Sequence, residues 1–200
     1  MVVAGDDGGR RAADGALGVV VRLSDGREAI QAYVNQHTAQ GLEHVLDLVT
    51  QDHNLVLGLI GDLTEDEASA VTPADEWRVF DAMKHLSASL DRSRDRLQKL
   101  SSGEPFEQPQ PGAPGAPTGG GLGSAEYGSF SDLRRAYIDG MVGVLAVLRH
   151  ADPSRGLELT AEHALYGPFN WPGWALYSHH VHTHDHVGQI ETIKQALRGK

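Results

Sequence analysis

The chain contains no cysteine. That excludes a disulfide framework, a Cys-type zinc site and a thiol nucleophile, so any thiol chemistry must use a thiol from outside. Basic residues are also scarce, with 17 Lys and Arg against 27 Asp and Glu and a formal net charge of −10. No Lys/Arg-rich face is available to neutralise phosphates, so neither nucleic acid nor an anionic membrane surface is an expected partner. No stretch approaches the ~18 apolar residues that a membrane helix needs. The N-terminal MVVAGDDGGRRAADGALGVVVRL places acidic residues and glycines before its one apolar run, ALGVVV, which is too short for a signal-peptide core. Residues 1–26 are therefore expected to be disordered, and the protein is expected to be cytoplasmic.

Hydrophobic residues make up 40% of the 200 positions, enough for one domain with a core. From Gly41 to Leu63, the residues Leu42, Val45, Leu46, Val49, Val56, Leu59 and Ile60 recur at helical spacing. A shorter helical piece, REAIQAYVNQH, leads into this helix, with Gly41 as a break. A second helix follows TPADEW, with Thr72 as N-cap and Pro73 in the first turn, and runs to about Leu100. A third begins at SDLRRAY and ends near His150; a fourth runs from about Pro172 to Leu197. Between the second and third, GEPFEQPQPGAPGAPTGGGLGSAEYG cannot hold a helix or central strand, so residues 102–128 form a linker. VVVRL is the only strand candidate. Four amphipathic helices must bury their stripes on each other, which gives an all-α four-helix bundle over residues 27–200, with a long Gly/Pro-rich connection between helices 2 and 3.

Five of the eleven histidines lie in SHHVHTHDHVGQI, Ser178 to Ile190. With His182 at zero on a helical wheel, Ile193 falls at ~20°, His186 at ~40°, Leu197 at ~60° and Ile190 at ~80°. His182 and His186 thus share the apolar stripe, and imidazoles at i and i+4 can chelate one metal ion. His180 and His184, at ~160–200°, share a face with Glu191 and Gln195 and are expected to be solvated. His179 lies at the edge of the inner stripe. A third ligand must come from another helix, and His53, His85, His150 and Tyr137 are the candidates. On periodicity His53 ranks above His85, because it continues the stripe of Val49, Val56 and Ile60.

The stretch EWRVFDAMKHL, with Trp77 eight residues before His85, and the later His182-x-x-x-His186-x-x-Gln189-Ile190 together resemble the DinB/YfiT-like superfamily. The Leu-Thr-acidic turn in LIGDLTEDEASAVTPADEW is also family-like, and the resemblance covers roughly Leu42 to Leu197. It implies a four-helix bundle with a divalent metal on His85, His182 and His186, and makes His53 a fourth ligand or a supporting group. Gln189, Asp185 and Asp81 flank these positions and are candidates for orienting a ligand imidazole. Zn or Ni is the first expectation for the ion, with Fe, Co and Cu also compatible with imidazole ligands.

Three neutral imidazoles leave a divalent charge uncompensated and a coordination position open, which suits metal-assisted hydrolysis or the holding of an external thiol. Some relatives in the superfamily are transferases or isomerases that use low-molecular-weight thiols such as mycothiol or bacillithiol. The expected function is therefore a metal-dependent S-transferase or hydrolase acting on a small molecule. The alternative is a non-catalytic bundle whose metal serves a structural, sensing or storage role. A homodimer is expected by analogy with bundles of this kind.

Overall fold

The computed structural model describes residues 20–106 and 125–199. It is predominantly helical, with one small two-stranded sheet. Helix α1 spans Arg27–Thr38, α2 Leu42–Ile60, α3 Glu65–Ser69, α4 Val79–Ser102 and α5 Phe130–His150. Strands β1, Ala161–His163, and β2, Gly167–Phe169, pair antiparallel. The last helical column consists of α6, Trp171–Leu176, a π-helical turn at Tyr177–Val181 and α7, His182–Arg198. No helix is long and apolar enough to cross a membrane.

Local chemistry sets these boundaries. Gly41, at φ 97°, lies in a region closed to residues with a Cβ, and it separates α1 from α2. Thr64 and Glu67 form a capping box at α3, each side chain accepting the other residue's backbone N–H. The Ser129 hydroxyl accepts the N–H of Asp132 at the start of α5. The Asn170 side chain accepts that of Gly173 at the start of α6, where Pro172 fits the first turn.

Two sequence expectations fail here. The helix after TPADEW begins at Val79 rather than at Pro73, because Thr72 pairs in an isolated bridge with Asp75 and its hydroxyl accepts the N–H of Ala74. VVVRL forms no strand among the described residues, and the two strands lie instead in AEH and GPF. Of the N-terminal segment expected to be disordered, residues 1–19 lie outside the described residues. Val20 is buried and Leu23–Asp25 form a 3-10 turn. Of the linker, residues 107–124 lie outside the described residues, while Ser102 closes α4 and Gly103 caps it at φ 85°.

Helix α4 packs along α5, α5 against α2, α2 against α7, and α7 back against α4. Helix α1 lies outside this ring, against α2 and α6. The interior holds Ile60, Met83, Leu90, Leu97, Leu133, Tyr137, Leu148 and Trp174, all essentially inaccessible to solvent. Each such aliphatic side chain stabilises the fold by about 1.5–3 kcal/mol relative to exposure. Gly140 on α5 lets α5 lie close against α4, since a Cβ there would sit 3.1 Å from Cβ of Leu90. This ring fixes the facing positions of α4 and α7, and the histidines project between those two helices.

Candidate metal centre

His85 lies in the second turn of α4, and His182 and His186 lie one turn apart at the start of α7. Their Nε2 atoms converge: His182 is 3.0 Å from His85 and 3.3 Å from His186. Among the described residues, this group of side chains brings three ligand atoms within 4.8 Å of one another and could hold a metal ion. His85 is buried, and the other two are half-buried.

The protonation pattern is readable from the neighbours. Gln189 donates from its amide nitrogen to Asp75 at 3.0 Å, so its carbonyl oxygen faces His186 Nδ1 at 2.7 Å. His186 must then carry its proton on Nδ1, which leaves an Nε2 lone pair directed at the other two rings. Burial, followed by the proximity of His186 and His85, pushes His182 well below the ordinary imidazole range. Burial also lowers His186, against the opposing effect of the hydrogen bond that its Nδ1–H donates to Gln189. Neutral imidazoles whose nitrogens meet at one point have more lone pairs than shared protons. A divalent cation fits that donor set.

Trp77, in the segment leading into α4, stacks on His186 at 5.9 Å with planes 13° apart and lies 5.4 Å from the His85 ring. Its backbone N–H donates to Asp75 at 2.8 Å, so one carboxylate ties together the Trp77 segment and the Gln189–His186 pair. A groove of about 700 Å3, lined in part by Asp75, Trp77, His186, Gln189 and Arg22, gives His186 access to solvent.

The chain matches no known protein family, characterised protein or solved structure. The functional reading therefore rests on the residues themselves.

The remaining sequence candidates separate clearly. His150 is exposed and its Nδ1 lies 2.8 Å from the carbonyl of Ala146. Tyr137 and His53 bond each other at 2.6 Å in the core, outside the triad, and His53 Nε2 has no partner among the described residues. Asp81 does not orient His85; both of its oxygens bind Arg78, at 2.7 Å each. Asp185 is exposed.

The expectation that His180 and His184 are solvated is wrong. His180 is fully buried, with Nδ1 2.6 Å from Asp52 and Nε2 2.7 Å from the hydroxyl of Tyr33. His184 Nδ1 lies 3.1 Å from the other oxygen of the same carboxylate. Burial acts to raise Asp52, and the hydrogen bonds from the two histidines override it, holding the carboxyl below its usual range. Two features defeat the helical wheel. The π-helical turn at Tyr177–Val181 adds a residue to the turn and rotates what precedes His182, and α1 covers a face that a bare bundle would leave open. The available signal was Asp52 itself, which falls on the Val45, Val49, Val56 stripe and needs buried donors.

Sequence reasoning also placed His179 at the edge of the inner stripe. It is buried, 2.9 Å from the Ser93 hydroxyl.

Proposed function

We propose that this protein is a DinB-like four-helix bundle that binds one divalent metal ion on His85, His182 and His186 and acts on a small molecule as a metal-dependent enzyme. The observation that carries this reading is the convergence of three Nε2 atoms with one ligand, His186, on the wall of an open groove. The ring formed by α2, α4, α5 and the α6–α7 column supports the bundle assignment.

When bound, a divalent ion on three neutral ligands supplies a Lewis acid with an exchangeable position. The chain's own residues do the rest. Gln189 and Asp75 hold the His186 ring in one tautomer and one orientation. Trp77 covers two of the imidazoles on one side and reduces their hydration. The groove admits a ligand of small-molecule size. The absence of cysteine means that a thiol-dependent S-transfer would use an external thiol, and metal-assisted hydrolysis is the companion possibility.

Elemental analysis of untagged protein tests the site, with about one divalent ion per chain expected. The His182→Ala variant should lose it, and full retention would sink the assignment. Adding small thiols to cobalt-substituted protein tests the open position, since an accessible site changes its visible spectrum. A spectrum insensitive to thiols and small anions, together with strong destabilisation by chelator, would instead identify a closed structural site.

A further inference from the structure

We propose that Arg92 and Arg96 bind a carboxylate of the small molecule that reaches the triad, so that the substrate class is an anionic compound held between the arginines and the metal ion. The inference rests on the reading of the triad as an open metal centre. Both arginines lie on α4, one turn apart, on the stripe that carries His85. With His85 at zero on the wheel, Arg92 falls at about −20° and Arg96 at about +20°. Along the helix axis they stand about 10 Å and about 16 Å beyond His85, so the compound is elongated.

The two guanidinium groups differ from the paired arginines of this chain. Arg27, Arg78, Arg94 and Arg198 each meet a carboxylate. Arg92 and Arg96 are half-buried, and among the described residues neither has a hydrogen-bond or ion-pair partner. Burial lowers the proton affinity of both, opposed at Arg92 by the charge of Asp91 and reinforced at Arg96 by the charge of Arg92. Two like charges drawn partly out of water side by side are costly until an anion joins them. Their nitrogens remain within reach of solvent, because among the described residues His53 Nε2 alone is a fully buried side-chain polar atom without a partner.

The surroundings are built for an anion. The Arg96 guanidinium lies over the rings of Phe106 and Trp174, at 5.5 and 5.7 Å, which fix it while leaving its N–H groups for a carboxylate. Trp174 is itself held by the bond from its indole N–H to the carbonyl of Ala161 at 3.2 Å. His163, 5.4 Å from the Trp174 ring, accepts the backbone N–H groups of Leu165 and Tyr166 on Nδ1, so its own proton sits on Nε2. Burial, then the charge of Arg96, lowers His163 to about 4 and keeps it a neutral donor. Tyr177, whose ring packs on His163 at 4.7 Å, is also close enough for its hydroxyl and Arg96 to act on each other. The neighbouring carboxylates are exposed: Asp91 beside Arg92, Asp95 paired with Arg94, and Asp185, which acts on Tyr177.

The pair also communicates with the metal centre. Arg92 is near enough for its charge to lower the proton affinity of His182. Neither arginine lines the groove of Asp75, Trp77 and Gln189, so they approach the triad from the His182 side.

The test compares mercaptohexanoate with mercaptohexanol on cobalt-substituted, untagged full-length protein. The acid should perturb the visible spectrum at a concentration about tenfold or more below the alcohol, because a charge-assisted Arg–carboxylate contact adds to the thiolate–metal bond. In Arg92→Gln/Arg96→Gln that advantage should vanish while the response to the alcohol stays, and in Arg92→Lys/Arg96→Lys it should be intermediate, since charge remains and the planar fork is lost. Equal response to both thiols in the wild type, or an undiminished advantage in the Gln variant, overturns the proposal and leaves the metal reading intact. Succinate added to metal-free His182→Ala protein supplies the arm that does not depend on the metal. The Arg92 and Arg96 side-chain N–H signals and the Trp174 indole N–H signal should shift saturably. Absence of those shifts overturns the carboxylate subsite. Their presence in a protein whose wild type holds no metal would keep the subsite and sink the metal reading.

Discussion

His186 Nδ1 lies 2.7 Å from the side-chain oxygen of Gln189, one turn further along α7. That contact, backed by the bond from Gln189 to Asp75, decides which nitrogen of His186 is available as a ligand. Gln189→Leu should therefore weaken divalent-metal binding by about 10–100-fold while leaving the fold intact. Competition against a chelator of known affinity measures this. Unchanged affinity would mean that the tautomer is set elsewhere.

Asp52, itself fully buried, accepts from two histidines, the fully buried His180 and the half-buried His184. In Asp52→Asn the amide nitrogen must face one of two Nδ1–H donors, leaving that donor unpaired or forcing its imidazole into the other tautomer. A loss of about 1–3 kcal/mol is expected in urea denaturation. Metal stoichiometry at the triad should not change, which separates this network from the ligand set.

Stability should fall on mild acidification. Burial pushes His53 down from 6.5 to about 4, against the opposing charge of Asp52. Between those pH values the unfolded chain binds a proton that the folded chain refuses, so stability declines as pH drops through the window and levels off below it. The full effect of this one group is about 3 kcal/mol. Urea midpoints measured from pH 7 to 4 should fall, and His53→Gln should remove part of the slope. An identical slope in the variant would locate the effect in other histidines.

Gly41 has φ 97° and ψ 171°, a conformation essentially restricted to glycine. Gly41→Ala should cost about 1–3 kcal/mol. The loss should concentrate in α1, visible as faster amide exchange over Arg27–Thr38 than over α4. Uniform loss across the chain would show that α1 and the ring unfold as one unit.

The helices were legible because their stripes repeat at a period that only burial against other helices explains. The step from His182 to His186 was legible for the same reason, since both lie on the stripe that continues through Ile190 and Ile193. Periodicity alone favoured His53 over His85 as their companion, and it was the resemblance in EWRVFDAMKHL that pointed to His85. The structure brings His85 to the pair and leaves His53 with Tyr137.

What no wheel could supply was the identity of facing groups. Asp52 is separated from His180 by 128 positions, and only tertiary packing tells whether a polar face meets water or a buried carboxylate. The π-helical turn is likewise invisible to a count that assumes uniform rotation. The sequence by itself determined the helical class and the inward pair of histidines, because amphipathic period is a local property of the chain. Tertiary structure alone decided the tautomer of His186 and the burial of His180, because one depends on Asp75 behind Gln189 and the other on Asp52, both brought back from far along the chain.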